Sequence, residues 1–142
     1  MPTLLGMSGL PIPKSVEGND YTGQLLGTKE IDVETALITC PVPFHQWKFK
    51  RGGREYRGVR TEKYTYVRDL NGPWLLYDNV NDPYQLNNQV NKPEFASVQA
   101  DLEDKLQAIL DKNGDEFLPA EVYMKAWGYE WDGIDHLKGH TH

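Results

Sequence analysis

Tyr56-Arg57-Gly58-Val59-Arg60-Thr61-Glu62-Lys63-Tyr64-Thr65-Tyr66-Val67-Arg68-Asp69-Leu70-Asn71-Gly72-Pro73-Trp74-Leu75-Leu76-Tyr77 is the stretch from which the fold is read. Tyr56–Thr61, Lys63–Arg68 and Trp74–Tyr77 are rich in aromatic and β-branched residues and read as three strands. In the second, Tyr64 and Tyr66 share one face and Thr65 and Val67 the other, because strand side chains alternate. Asn71-Gly72 is expected to form the hairpin turn before the third, since both residues accept the positive φ of a type I′ turn. Upstream, Val33 to Thr39 alternates loosely and suggests a fourth strand. Cys40-Pro41-Val42-Pro43 ends it, because proline cannot donate to a ladder.

Downstream, Asn81-Asp82-Pro83 is a turn, and a helix is expected from about Pro93 to Lys112. Phe95, Val98, Leu102, Leu106 and Ile109 recur at three and four, an apolar stripe on a charged cylinder. Asn91 with Glu94 three residues on has the form of a capping box, and Gly114 is a natural stop. Pro2 with Leu4, Leu5 and Met7 marks a short opening helix, after which Leu10-Pro11-Ile12-Pro13 forces extended backbone. Lys14 to Glu30 reads as irregular surface. The segment from Phe117 to His142 is rich in aromatic residues and ends in a His-bearing polar tail; Tyr123 and Trp127, four apart, suit a short docking helix. The fold class expected is α+β, a small antiparallel sheet of about four strands with one packed amphipathic helix.

The 142 residues include one cysteine, so neither an internal disulfide framework nor a multi-thiolate metal site fits within the chain. No apolar run approaches the ~18 residues of a membrane span. The first residues have no basic region of the kind that begins a secretory leader. The net charge of −6 conceals a segregation. Lys48, Lys50, Arg51, Arg54, Arg57, Arg60, Lys63 and Arg68 face only Glu55 and Glu62, a local +6 that leaves −12 for the remainder. Overall acidity argues against nucleic-acid binding, while the basic stretch can still meet an anion.

Most candidate sites fail on inspection. Asp111-Lys112-Asn113-Gly114-Asp115 starts like a calcium loop but places Glu116 where glycine is needed and Val122 where a bidentate glutamate is needed. His136, His140 and His142 lie in a tail with nothing to orient them as zinc ligands. Cys40 with His45 lacks an orienting third group, so Cys40 reads as a small buried hydrophobe. In the basic stretch, Arg57 and Arg60 would point to opposite faces of a strand and pair with the acidic remainder. The loop at 45–54 is the better anion site, with arginines for bidentate contact and Trp47 for stacking.

These residues resemble a known family. Met1-Pro2-Thr3-Leu4-Leu5-Gly6-Met7-Ser8-Gly9-Leu10-Pro11-Ile12-Pro13 with Val16-Glu17-Gly18-Asn19-Asp20 looks like the MPTLL segment of formylglycine-dependent sulfatases of the alkaline phosphatase superfamily. Gly58-Val59-Arg60-Thr61-Glu62-Lys63-Tyr64-Thr65-Tyr66 is similar to that family's VRT strand pair. Leu76-Tyr77-Asp78 and Asn81-Asp82-Pro83-Tyr84-Gln85-Leu86-Asn87-Asn88 resemble its LYD and DP motifs. Gln85 departs from the acidic residue usual in the family, as Gln89 does from an apolar one. The resemblance covers about Met1 to Lys112.

It implies a C-terminal portion: 1–30 the end of the catalytic α/β domain, 31–114 the C-terminal subdomain, and 115–142 an aromatic extension with a polar tail. It also implies calcium and formylglycine for the intact enzyme. The C-x-P-x-R motif that yields formylglycine does not match Cys40, which has Val42 and Phe44 at the offsets for Pro and Arg. The implied function is hydrolysis of sulfate esters of a sulfated small molecule or glycan, with the centre of reaction upstream of Met1 in the enzyme's own N-terminal catalytic domain. His45, Trp47 and Arg54 are the expected substrate contacts. An apolar patch of Leu4, Leu5 and Met7, deprived of its neighbours, is expected to promote self-association. The family is often periplasmic, secreted or lysosomal, and any leader would also lie upstream. The rival expectation is a free-standing module that binds sulfated glycan through loop 45–54.

Overall fold

The computed structural model describes residues 1–16, 18–29, 35–43, 48–131 and 137–138. It divides into two compact units, Met1–Val33 and Glu34–His142. In the first, helix α1 (Pro2–Met7) and the single turn α2 (Thr22–Leu25) are tied through Thr3. The Thr3 hydroxyl accepts the Tyr21 N–H at 3.0 Å, and its carbonyl accepts the Thr22 hydroxyl at 3.2 Å. Leu4 and Met7 remain 65% and 57% exposed on α1. Apolar area of this kind favours association. Light scattering is expected to show mass rising with concentration, and Leu4→Ser with Met7→Ser to reverse it; a strict monomer at high concentration would contradict this.

The second unit is built on an antiparallel sheet in the order β1 (Ala36–Cys40), β2 (Tyr56–Arg60), β3 (Tyr64–Asp69), β4 (Gly72–Asp78). The expected alternation is realised as cross-strand rows. Leu37, Val59, Tyr66 and Leu76 pair in sequence across all four strands. This row packs on helix α3 (Ala96–Asn113) through Leu102, Leu106 and Leu110, forming the main core. The next row, Ile38, Gly58, Val67 and Leu75, faces the other way. Gly58 is dictated by close approach, since a Cβ there would lie 2.6 Å from the Tyr66 carbonyl oxygen and 2.9 Å from Ile38.

Two turn assignments are corrected. Asp69 pairs with Gly72, so Leu70-Asn71 forms the tip, and Gly72 carries the positive φ of 121°. The Asp69 carboxylate accepts the Asn71 N–H at 2.7 Å, which leaves Gly72 to open the next strand. Asn91 makes no capping box with Glu94. It adopts a φ of 61° and exchanges two hydrogen bonds with the Gln99 amide, because helix α3 begins only after a 3-10 turn at Pro93–Phe95. Gly114 ends α3 in the left-handed conformation, as expected.

The strand expected at Val33–Thr39 is described from Ala36 and reaches Cys40. The Asp78 carboxylate accepts the N–H groups of Val80 and Asn81, and that of Asp82 accepts those of Leu86 and Asn87. Asn88 caps the edge of β4, accepting from Leu76 N–H and donating to the Trp74 carbonyl. The Leu76–Asn88 motifs are therefore loop-shaping devices. Beyond α3, the short helix α4 (Ala120–Ala126) buries Ala120 and Met124 against Val42. A small hairpin of β5 (Glu130–Trp131) and β6 (Leu137–Lys138) follows. Among the described residues no helix is long and apolar enough to cross a membrane.

Candidate functional site

The basic stretch divides by face. Arg57 and Arg68 are direct neighbours across β2 and β3 on the α3 side, a placement of like charges that is unfavourable unless each finds an acid. Both do. Arg57, 3% exposed, donates to Asp115 at 2.5 and 3.1 Å and to the Tyr123 hydroxyl at 3.1 Å. Arg68 pairs with Glu103, which also accepts the Tyr66 hydroxyl at 2.7 Å. The Phe117 ring lies 4.8 Å from the Arg57 guanidinium and 5.8 Å from that of Arg68, and it holds a positive φ of 48° to do so. Burial acts to raise the Asp115 pKa, but the Arg57 hydrogen bonds, the Phe117 N–H and the Tyr123 hydroxyl outweigh it and hold the carboxyl below its ordinary value. Burial, then the Glu103 carboxylate, pushes the Tyr66 phenol well up. Arg60, on the opposite face, donates to the Thr65 hydroxyl rather than to an acid.

The loop half is different. Among its expected contacts, His45 and Trp47 lie outside the described residues, as do His136, His140 and His142. A 3-10 turn at Phe49–Arg51 leaves Lys50 and Arg51 exposed and closes on Gly52 with a φ of 86°. Arg54 then reaches back over the sheet. Its guanidinium sits 4.4 Å from the Trp74 ring centroid and donates to Asp69 at 2.7 Å, while the side chain keeps 42% of its exposure. Tyr56 completes the cluster, tilted against Trp74 at 6.1 Å. Trp74 is set there by a bulge: Val67 pairs with Leu75 and Arg68 with Pro73, so one residue of β4 is extra. Trp74 and Leu75 consequently both line a groove of about 400 Å³ on the face away from α3, with Tyr56, Tyr77, Thr65 and Gln85.

Chemically this is a cation held in place by an aromatic plane and a carboxylate, with donors left for an anion's oxygens. Asp69 offsets part of its charge, so Arg54 suits an anionic group on a larger ligand better than a free ion. Asp69 and Trp74 are partners that pattern reading misses, because they meet Arg54 only once the register and the bulge are in place. Cys40 is half-buried rather than fully buried, and burial followed by Glu55 raises its thiol pKa away from the nucleophilic thiolate.

Calcium and formylglycine do not fit the described residues. No three or more His, Cys, Asp or Glu side chains among them gather into a metal-holding group, and Cys40 lacks the C-x-P-x-R context. Asp115, the end of the weak calcium-like run, is occupied by Arg57.

Residues 1–112 match the family model described as N-sulphoglucosamine sulphohydrolase, C-terminal. Over 132 residues the chain is 39% identical to an ulvan-active sulfatase of Formosa agariphila, covering 91% of this chain and 25% of that protein. It is 35% identical over 101 residues to an endo-4-O-sulfatase of Bacteroides thetaiotaomicron, covering 62% of this chain and 20% of that one. A solved structure of a 2-O GAG sulfatase superposes with a TM-score of 0.70 at 21% identity, covering 82% of this chain and 24% of that one. The chain thus spans a quarter or less of the length of these relatives.

Proposed function

Since this chain belongs to the sulfatases, through the C-terminal domain family of N-sulphoglucosamine sulphohydrolase, we propose that it is the C-terminal part of an enzyme that hydrolyses sulfate esters of a sulfated carbohydrate. In this reading 1–30 ends the catalytic α/β domain, 31–114 is the C-terminal subdomain and 115–142 an extension. Arg57 and Asp115 stitch the extension to the subdomain. The chain gives structural support and one wall of the substrate cleft, and the sulfur chemistry belongs to the remainder of the enzyme.

The observation that carries this is the Arg54 cluster. Arg54 is half-exposed, stacked on Trp74 and anchored by Asp69, so it meets an anion without first losing its own rotamer freedom. A sulfated sugar offers both the anion and a ring face for neighbouring aromatic planes. The named substrates of the relatives, ulvan and a GAG, support the same class. His45 and Trp47 are the further contacts we propose at this edge.

The test is sulfate release. The purified chain, supplied with calcium and either an aryl sulfate or a sulfated polysaccharide, is expected to release none. Calcium-dependent turnover retained through purification would overturn the reading. Salt-sensitive retention on heparin, abolished by Arg51→Ala with Arg54→Ala, would instead favour a free-standing glycan-binding module.

A further inference from the structure

Helix α4 docks through Ala120 and Met124, and beyond them it presents two large aromatic residues to solvent, Trp127 at 53% and Tyr129 at 42% exposure. Both rings are held in place. The Tyr123 hydroxyl is fixed by the Arg57 guanidinium at 3.1 Å and the Leu118 N–H at 2.9 Å. One turn on, the Trp127 indole stacks on the Tyr123 ring, with 5.4 Å between centroids and 28° between planes, which covers one face of the indole. The helix then ends in a Schellman motif. The Gly128 N–H donates to the Lys125 carbonyl at 3.3 Å and the Tyr129 N–H to the Met124 carbonyl at 2.9 Å, with Gly128 at a φ of 69°. This closure brings Tyr129 edge-on to Trp127, at 6.4 Å and 86°. Two aromatic planes at right angles thus form a corner whose shape is set before a ligand arrives.

Exposed apolar area in a fixed geometry marks a contact surface, and rigid Trp and Tyr rings lose little rotamer freedom on binding. The chemistry of the corner narrows the ligand. The negative face of an aromatic ring does not attract an anion, so the corner is no sulfate site. A sugar ring suits it better, with an apolar C–H face to lie on the rings and hydroxyls at its rim to meet water or a phenol. Two observations connect the corner with a carbohydrate chain. The ulvan-active relative matches 91% of this chain, more than residues 1–112 contain, so that match runs through α4 to Trp127, whereas the family model stops at 112. Helix α4 also starts beside the Arg54 edge. Glu55, the next residue, accepts the Ala120 N–H at 2.8 Å, and the seven residues of α4 span roughly 10 Å at ~1.5 Å each. That separation suits a short run of linked sugars rather than one.

We propose that Trp127 and Tyr129 form a stacking platform for a carbohydrate polymer, a subsite for sugar units beyond the one whose sulfate meets Arg54. The inference rests on the reading of the substrate as a sulfated carbohydrate and narrows it to an oligomer or polymer.

Affinity electrophoresis of this chain in gels containing ulvan tests it. The unaltered chain is expected to be retarded, and Trp127→Ala to bind at least about fivefold more weakly. Trp127→Phe, which keeps a ring, is expected to recover most of that loss. Val122→Ala, 45% exposed on the same helix, is the control and is expected to leave retardation unchanged. Because the rings meet the sugar face, the difference between the unaltered chain and Trp127→Ala is expected to persist at high salt and with desulfated ulvan, where the arginine contacts weaken. No retardation of the unaltered chain, or equal retardation of Trp127→Ala, would overturn the proposal. So would a difference that vanishes at high salt, which would assign binding to charge. A difference seen in this chain but absent from the complete polypeptide would overturn it too, since the rest of the enzyme would then cover Trp127. Sulfate release by the complete polypeptide separates the two ideas: platform binding without turnover removes the functional reading and leaves the platform, and turnover with no effect of Trp127→Ala on binding does the reverse.

Discussion

Replacing Arg57 with alanine is expected to destabilise the chain by about 3–5 kcal/mol, the cost of breaking a buried ion pair from one side. Arg57 is inaccessible, and its guanidinium serves Asp115 twice, the Tyr123 hydroxyl and the Tyr56 carbonyl. Its removal leaves the largely covered Asp115 carboxylate with only the Phe117 N–H and the Tyr123 hydroxyl as partners, and strips Phe117 of the nearer of its two cations. Two connections fail together, because Tyr123 also accepts the Leu118 N–H and links α4 to the sheet. Urea unfolding measures the loss. The paired change Arg57→Met with Asp115→Leu is expected to cost less than Arg57→Ala, since it leaves no stranded charge. A loss under about 1 kcal/mol for Arg57→Ala would place the pair among ordinary surface contacts.

The same pair sets an acid dependence. The Asp115 carboxyl is held below its ordinary value in the fold, so the unfolded chain takes up this proton first as pH falls. Its contribution is therefore present above the unfolded value near 3.9 and disappears as pH falls through the lower folded value. Asp115→Asn is expected to lower stability at neutral pH and to flatten the decline below about pH 4.

Leu106→Ala is expected to cost about 2–5 kcal/mol through lost burial and the cavity left behind. Leu106 is fully buried in the cluster of Val59, Tyr66, Leu76, Leu102 and Leu110, where the central row of the sheet meets α3. Leu86, 79% exposed, is the contrast; its change to alanine is expected to stay within about 0.5 kcal/mol. Equal effects at the two positions would mean that α3 does not pack on this row.

The strand run was legible because its alternation is strict. Tyr64 and Tyr66 against Thr65 and Val67 already define two faces, and the rows of the sheet follow from them. The helix stripe ending at Ile109 understated the core, for Leu110 is the fully buried residue and Ile109 only flanks it. Asn71-Gly72 misled because the same dipeptide serves a turn in which only the glycine needs positive φ. The partner of Arg57 was beyond pattern reading: Asp115 lies 58 residues away, and only the return of the chain after α3 brings it near. Arg60 was expected to find an acid and instead meets the Thr65 hydroxyl, to which the Gln85 amide also donates.

The loop arginine was singled out for its place in a basic loop that also holds His45 and Trp47, but its chemistry depends on Trp74 and Asp69. Those residues come together through a one-residue bulge and a cross-strand pairing. Local patterning thus locates the edge, and tertiary register makes it a site.

The most direct measurement is the kinetics of sulfate release from a sulfated oligosaccharide by the complete polypeptide, with Arg54 intact and with Arg54→Gln. Loss of one charged hydrogen bond to substrate predicts a KM raised about tenfold or more, with a smaller change in kcat. Unaltered KM and kcat with that variant would contradict the assignment of this edge as a wall of the substrate cleft.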